Sequence, residues 1–210
     1  MTSGGLTSLL AGHPRRDAIR LELRRNRVLS EMDTAAWNDL EPRLEVADYR
    51  KGDILVDQGA TKIDQVFVLQ GILKCVAANA EGKEMILRFA AETDMDTFYA
   101  AWRLEMPAPY RIVAVTNTRV AKLSMPRWID FLNRHPQVRS RFELEVMKLI
   151  SDVMTHTITL HLLDATGRLA SFQRKQQDCL GRISSKELAS YLNLAPETYS
   201  RLKQRGVSQS

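Results

Sequence analysis

Residues 184–210 read SSKELASYLNLAPETYSRLKQRGVSQS, two short amphipathic segments that meet at LNLAP. Ser184 followed three residues later by Glu187 is a capping box: the hydroxyl takes an orphan N–H of the first turn and the glutamate reaches back. A helix therefore starts here and buries Leu188, Ala189 and Leu192. It breaks at Asn193, a residue type that accepts left-handed backbone more readily than most. Pro196 suits the first turn of the next helix, where its missing N–H costs nothing. That helix buries Tyr199 and Leu202 and turns Glu197, Ser200, Arg201 and Lys203 outward. Small Ala189 lies where the two helices cross, which lets them approach closely. This is the helix-turn-helix plan. The same pattern also suits the last helical corner of a globular domain, so the rest of the chain has to separate the two.

Upstream, "VRSRFELEVMKLISDVMTHTITLHLLDATG" is a long uninterrupted helical pattern, preceded by the short helix "PRWIDFLNRHP", which Pro136 closes. Apolar residues recur at Phe142, Val146, Leu149, Val153, Leu160 and Leu163 in steps of four and three, with His156 in the remaining slot. An apolar seam of that period is the signature of a two-stranded coiled coil. It predicts a homodimer joined along this helix, the alternative being a helix packed on its own sheet.

From about Tyr49 to Ser124 the texture changes to strands. Short apolar runs ("DILVDQG", "QVFVLQG", "LKCVAA", "EMILRFA", "YRIVAVTNT", "RVAKLS") alternate with Gly, Asn and charged turns. Such spacing predicts an antiparallel sandwich or barrel. Gly52, Gly59, Gly71 and Gly82 fall at its turns, with residues 80–82 at a hairpin tip. The fold class is thus α+β, with strands first and helices after.

Charge is unevenly spread over the 210 residues. Residues 165–210 carry eight Lys/Arg against Asp178, Glu187 and Glu197, while the preceding 164 residues carry 22 basic and 22 acidic side chains. The whole net charge of +5 therefore sits in the C-terminal fifth, as an end that meets a polyanion requires, although a solvated basic face has the same composition. No apolar run is long enough to span a bilayer. The basic residues of "MTSGGLTSLLAGHPRRDAIR" follow its apolar patch, the wrong order for a secretory signal. Cys75 and Cys179 form neither a disulfide framework nor a four-ligand metal site. A cytoplasmic protein with reduced thiols is expected.

Four segments, in order, resemble the cyclic-AMP-receptor and fumarate-nitrate-regulator (CRP/FNR) superfamily of bacterial transcription factors. "YRKGDILVDQGATKIDQVFVLQG" resembles the opening of its β-roll, "EGKEMILRF" its central hairpin, "LLDATGRLA" the hinge after its dimer helix, and "LAPETYSR" the start of its recognition helix. The resemblance spans nearly the whole chain. It implies a β-roll sensor (a double-stranded β-helix of the cyclic-nucleotide-binding kind) over residues 20–136, a dimerisation helix over 137–166 and a DNA-binding domain over 167–210. It further implies RNA polymerase as a partner. The FNR-like recognition pattern Glu-x-x-Ser-Arg matches Glu197, Ser200 and Arg201, which points to a TTGAT-like half-site. An arginine pairs bidentately with guanine and a carboxylate accepts from cytosine. Lys186, Lys203 and Arg205 are expected at phosphates, and Ser185 and Thr198 complete the DNA-facing set.

The sensor departs from the cyclic-nucleotide pattern. Where the family has Gly-Glu for the ribose, this chain has Thr97-Phe98. The Arg-Ser pair for the phosphate is Ala108-Pro109, and the purine-reading pair on the helix is Val153-Met154. A buried phosphate without its arginine lacks a counter-charge, so cyclic AMP is not the expected effector. Nor is an iron–sulfur cluster, because the N-terminal region has no cysteines. The expected effector pocket is apolar and built from Thr97, Phe98, Tyr99, Trp102, Val153 and Met154, with Arg111 nearby. Haem stays open as its occupant, with His13, His135, His156 and His161 as candidate ligands, and so does binding without any effector.

The resemblance also implies a β-hairpin wing after the recognition helix, whereas this sequence reaches "RLKQRGVSQS" and ends, so the wing is lost or the natural chain is longer. No nucleophile–base pair, phosphate loop or metal site is legible: His156 and His161 are five apart, on different faces of one helix. Enzymes are therefore not expected, including those on a cupin-like roll, which need a His/Glu metal set. The rival reading is a β-roll sensor or interaction module whose DNA-binding end has decayed.

Overall fold

The computed structural model describes residues 7–175 and 181–207, with side chains to Gln204. Nine strands form two antiparallel sheets. One has the order β1-β2-β9-β4-β7, from β1 (Thr7–Leu9), β2 (Glu45–Tyr49), β4 (Asp64–Gln70), β7 (Met95–Asp96) and β9 (Thr118–Ser124). The other has the order β3-β8-β5-β6, from β3 (Ile54–Val56), β5 (Leu73–Ala78), β6 (Glu84–Ala90) and β8 (Arg111–Ala114). Facing side chains such as Val46, Phe67, Leu73, Cys75, Ile112 and Val120 fill the space between them. The roll begins earlier than residue 20: β1 pairs with β2 in the register Ser8↔Val46, and Leu10 and Ile19 are fully buried.

The glycine turns are where the sequence places them, and Gly71 shows why. Its φ is +94°, and a Cβ there would lie 2.6 Å from the Asn117 carbonyl and 2.8 Å from the Thr118 Cα. A side chain would push the β4–β5 turn off the start of β9.

Helices α1 (Arg16–Leu23), α2 (Thr34–Leu40), α3 (Tyr99–Arg103) and α4 (Met125–Arg134) close the ends of the roll. The fully buried Trp128 on α4 meets Phe67 edge-on at 5.5 Å and Phe142 at 5.3 Å. Phe142 belongs to α5 (Pro136–Leu162), whose first half is thereby bolted to the roll. Pro136 ends α4 and opens α5, since a proline donates no N–H and fits a first turn. Helix α5 stops at Leu162 rather than 166. Leu163 is extended, and α6 (Ala165–Lys175) starts behind Asp164, whose carboxylate accepts from the Gly167 N–H at 2.8 Å.

The sequence did not announce a second apolar cluster. Ile72, Val76, Ile86, Phe89 and Val115, on the outer side of the four-stranded sheet, pack against Phe172, Ile183, Leu188, Ala189, Tyr191, Leu192 and Tyr199 of the C-terminal helices. The C-terminal region thus shares its core with the roll. A signal was present in "EMILRF", where Ile86 and Phe89 serve the outer cluster while Leu87 packs on the inner one. Near-continuous apolar runs mark strands buried on both faces.

Candidate nucleic-acid interface and sensor pocket

Helices α7 (Ser185–Tyr191) and α8 (Pro196–Val207) form the expected helix-turn-helix. Ser184 is the N-cap of α7 and its hydroxyl accepts from the Glu187 N–H at 3.2 Å. The carboxylate of Glu187 reaches back to the Ser184 hydroxyl (2.9 Å) rather than to its main chain. Asn193 has φ +52°, and the Leu194 N–H closes the turn on the Ala189 carbonyl at 2.9 Å. Ala189 is fully buried at the crossing, as its size predicts.

On α8, Tyr199 is buried and Leu202 half-buried, while Glu197, Ser200, Arg201 and Lys203 are exposed. Residues 197, 200 and 201 occupy one face at helical spacing. The Arg201 guanidinium rests on the Thr198 hydroxyl at 3.4 Å. Ser185 and Lys186 are exposed on the first turn of α7, and Thr198 is half-buried. The Arg205 side chain and Cys179 lie outside the described residues. Arg168, a residue without a role in the sequence pattern, splints the motif: its Nε donates to the Leu163 carbonyl (2.9 Å) and its Nη1 to those of Leu192 and Asn193 (3.2 Å each).

The interior of the roll differs from the expected apolar pocket. Asp96, only 1% exposed, accepts from Arg88 at 3.1 Å, from the Cys75 thiol at 2.9 Å and from the Tyr110 hydroxyl at 3.4 Å. Arg88 also donates to the Met95 carbonyl at 3.2 Å. Burial opposes the charge on Arg88, but Asp96 outweighs it and the guanidinium holds its proton more tightly than usual. Burial pushes the Cys75 thiol and the Tyr110 hydroxyl well up, and Asp96 pushes both the same way. The register was the available clue, for Arg88 stands opposite inward-facing Cys75 on neighbouring strands.

The residues expected to form the effector pocket lie in different surroundings in the single chain. Thr97 and Phe98 are buried, and Phe98 packs on Tyr110 at 4.8 Å. Tyr99 and Trp102 are half-buried against the core, Tyr99 meeting Phe142 edge-on at 5.2 Å. Arg111 stands opposite Val76 of the outer cluster and pairs with Glu84, so it faces away from the interior. Val153 is half-buried, and Met154 is exposed on the far side of α5.

In the single chain the expected seam of α5 is partly covered. Phe142 and Val146 are buried inside this chain, and Leu149 packs on the same core. His156 lies flat on Tyr191, with ring centroids 3.8 Å apart and an interplanar angle of 3°. Half-buried Val153 and Leu160 continue that inward row, whereas Leu163, just past the helix, is exposed. A second apolar row of Leu144, Met147, Ile150, Met154, Ile158 and Leu162 is exposed instead. At 100° per residue it lies roughly 150° round the helix from the first. A heptad period cannot say which of two apolar rows meets a partner. Here the more regular one is taken up by the chain itself.

A cleft of about 920 Å3 opens where β6, the turn before β7, α5, α6 and the end of α7 meet. None of the residues expected at the effector pocket lines it. His156 does, with its pKa lowered to about 4 by burial and by Lys175, against a main-chain hydrogen bond at Tyr191. The four histidines are not gathered: His135 is bound to Asp39 at 2.9 Å, His13 accepts from the Arg15 N–H, and His161 is exposed. Among the described residues no group of three His, Cys, Asp or Glu is placed to hold a metal, and no helix is long and apolar enough to cross a membrane.

Residues 46–135 match the family model of the cyclic nucleotide-binding domain. Among solved structures the chain is similar to FixK2 from Bradyrhizobium japonicum (18% identity, TM-score 0.70, covering 78% of this chain and 84% of that one). It is similar to CLP from Xanthomonas campestris, described as a c-di-GMP responsive global regulator (14%, TM-score 0.69, 84% and 93%). It is also similar to a CRP/FNR-family regulator from Eubacterium rectale (18%, TM-score 0.67, 88% of each). The sequence matches no curated protein. At these identities the likeness is one of fold.

Proposed function

We propose that this chain, whose roll is of the cyclic nucleotide-binding type and whose fold is that of the CRP/FNR regulators, is a DNA-binding transcription regulator. The carrying observation is the row Glu197, Ser200 and Arg201, exposed on a helix whose other side is anchored by buried Tyr199. An anchored helix with a free carboxylate and guanidinium one turn apart is suited to the floor of a major groove. The basic excess of the same region supports attraction to phosphate.

The regulator works as a homodimer on a TTGAT-like palindrome. The exposed apolar row of α5 supplies the pairing surface, since an unburied stripe of six large residues calls for a cover. Residues 7–135 form the sensor, α5 the dimer helix and residues from Asp164 the DNA-binding region. Its place is the cytoplasm, where DNA and RNA polymerase are, and its role is regulatory rather than catalytic.

Cyclic AMP is not the effector. Beyond the replaced ribose, phosphate and purine positions, the one buried guanidinium of the roll's described interior is already neutralised by Asp96. Gel-shift with a TTGAT–N4–ATCAA duplex against a scrambled duplex tests the reading. Preferential retardation of the palindrome is expected. Equal weak binding to both would leave only a basic surface.

A further inference from the structure

The cleft between roll, α5 and the helix-turn-helix carries an unassigned binding site. Its walls hold Arg27, Lys148, Arg168 and Lys175 against Glu145 and Asp152. Arg168 is positioned by three carbonyls, which leave its charge uncancelled. Glu145 is shared between Lys148 (2.6 Å) and Arg27 (3.8 Å). Of the two carboxylates of the opposite wall, Glu92 is cancelled by Arg182 while Asp94 keeps its charge, so four cations face three uncancelled carboxylates. Glu92 bonds Arg182 and the Gly71 N–H, and Asp94 accepts from the Ala91 N–H. The cleft therefore presents a net positive wall.

At its floor stands His156. Its Nε2 is buried and without a hydrogen-bond partner among the described residues. The ring is neutral at ordinary pH, its pKa lowered to about 4, and a neutral imidazole nitrogen without a partner is open to a hydrogen bond from a ligand. A buried polar nitrogen left unmet is destabilising. A donor from a bound molecule would meet it.

We propose that this cleft binds a small organic anion, a phosphate ester or carboxylate carrying a hydroxyl, with the anion on Lys175 and Lys148 and the hydroxyl donating to His156 Nε2. The site is formed by three parts of the chain at once, so its occupant holds the helix-turn-helix against the roll. Only that consequence rests on the regulator reading; the binding does not.

The probes are inorganic phosphate, which carries both charge and a P–OH donor, and citrate, with uncharged glycerol as control. Imidazole 15N–1H NMR of the full-length protein reads His156 apart from His13, His135 and His161. A saturable shift confined to His156 with either anion, absent with glycerol, is expected; phosphate alone assigns a phosphate ester, citrate alone a carboxylate. Lys175→Ala, on an exposed residue, should weaken the response about tenfold. His156→Phe keeps the stack on Tyr191 and removes Nε2, so chemical-shift changes at Tyr191 should weaken similarly. No His156 shift at about 10 mM of either anion, an equal shift with glycerol, or full affinity in Lys175→Ala overturns the proposal. If the anions bind while DNA does not, the cleft stands and the regulator reading falls; the reverse outcome separates them equally.

Discussion

The Nζ of Lys74, on strand β5 of the roll, lies 3.2 Å from Oε1 of Glu187, whose other carboxylate oxygen takes the Ser184 hydroxyl at the start of α7. One carboxylate thus caps the first helix of the helix-turn-helix and ties it to the four-stranded sheet of the roll. Arg182 and Glu92 make a second tie at 2.6 Å, and the apolar cluster between them does most of the holding. Glu92 is kept below the usual carboxylate range: burial raises it, but Arg182 and the Gly71 N–H lower it by more.

The shared cluster makes roll and helix-turn-helix one cooperative unit. Phe89 is buried against Tyr191, with ring centroids 5.2 Å apart. Phe89→Ala should cost about 3–5 kcal/mol, in line with other buried phenylalanines. Unfolding followed separately by Trp fluorescence, which reports the roll, and by far-UV dichroism should still give coincident curves. Two resolved transitions in the parent protein would contradict a shared core.

His156 predicts a pH dependence with a definite sign. Its pKa is about 4 in the folded chain, against 6.5 for the free side chain. The unfolded chain therefore takes up a proton first, so this contribution is full above about pH 6.5 and is lost as pH falls towards 4. Allowing for its partial exposure, the loss is about 1–2 kcal/mol. Urea unfolding at pH 7 and pH 4.5 measures it. His156→Phe should remove that part of the pH dependence, and an unchanged difference in the variant would refute the assignment.

The buried pair inside the roll should behave as a pair. Asp96→Asn strands the Arg88 charge and should cost about 3–5 kcal/mol. Arg88→Met combined with Asp96→Asn should cost less than the two single changes added, by about 1 kcal/mol or more. Additive losses in denaturant titrations would show that the 3.1 Å contact is not energetically coupled.

The two faces of α5 make opposite predictions. Met154→Glu, on the exposed row, should give a folded monomer with an undiminished melting temperature when followed at low concentration. Leu149→Glu, on the inward row, should destabilise the chain by burying a charge. Sedimentation separates them, and a Met154→Glu protein that remains dimeric at micromolar concentration would move the interface elsewhere.

The helix-turn-helix was legible residue by residue because capping, the left-handed Asn193 and proline placement are local chemistry. The strands and their glycine turns were legible for the same reason. What the sequence concealed depends on which elements meet. The period of α5 was visible, but which of its two apolar rows faced inward was not. Arg111 and Arg88 each sit among apolar neighbours on a strand, and only strand register put one outside and the other beside Asp96. His156 read as one slot of a heptad, and its stack on Tyr191 belongs to a contact between segments 35 residues apart.

Whether α8 reads DNA with Arg201 is decided by comparing Arg201→Ala with Lys203→Ala. Arg201 shares its face with Glu197, whereas Lys203 lies about 200° round the helix from Arg201, where the groove wall should be. Both variants are titrated on the TTGAT palindrome and on a scrambled duplex at two salt concentrations. Arg201→Ala should lose about 1–3 kcal/mol on the palindrome alone, so that the ratio of specific to random binding collapses. Lys203→Ala should weaken both duplexes alike, lowering the salt slope by about one and leaving that ratio nearly intact. If Arg201→Ala weakens both duplexes equally, α8 does not read the groove floor and the claim is contradicted.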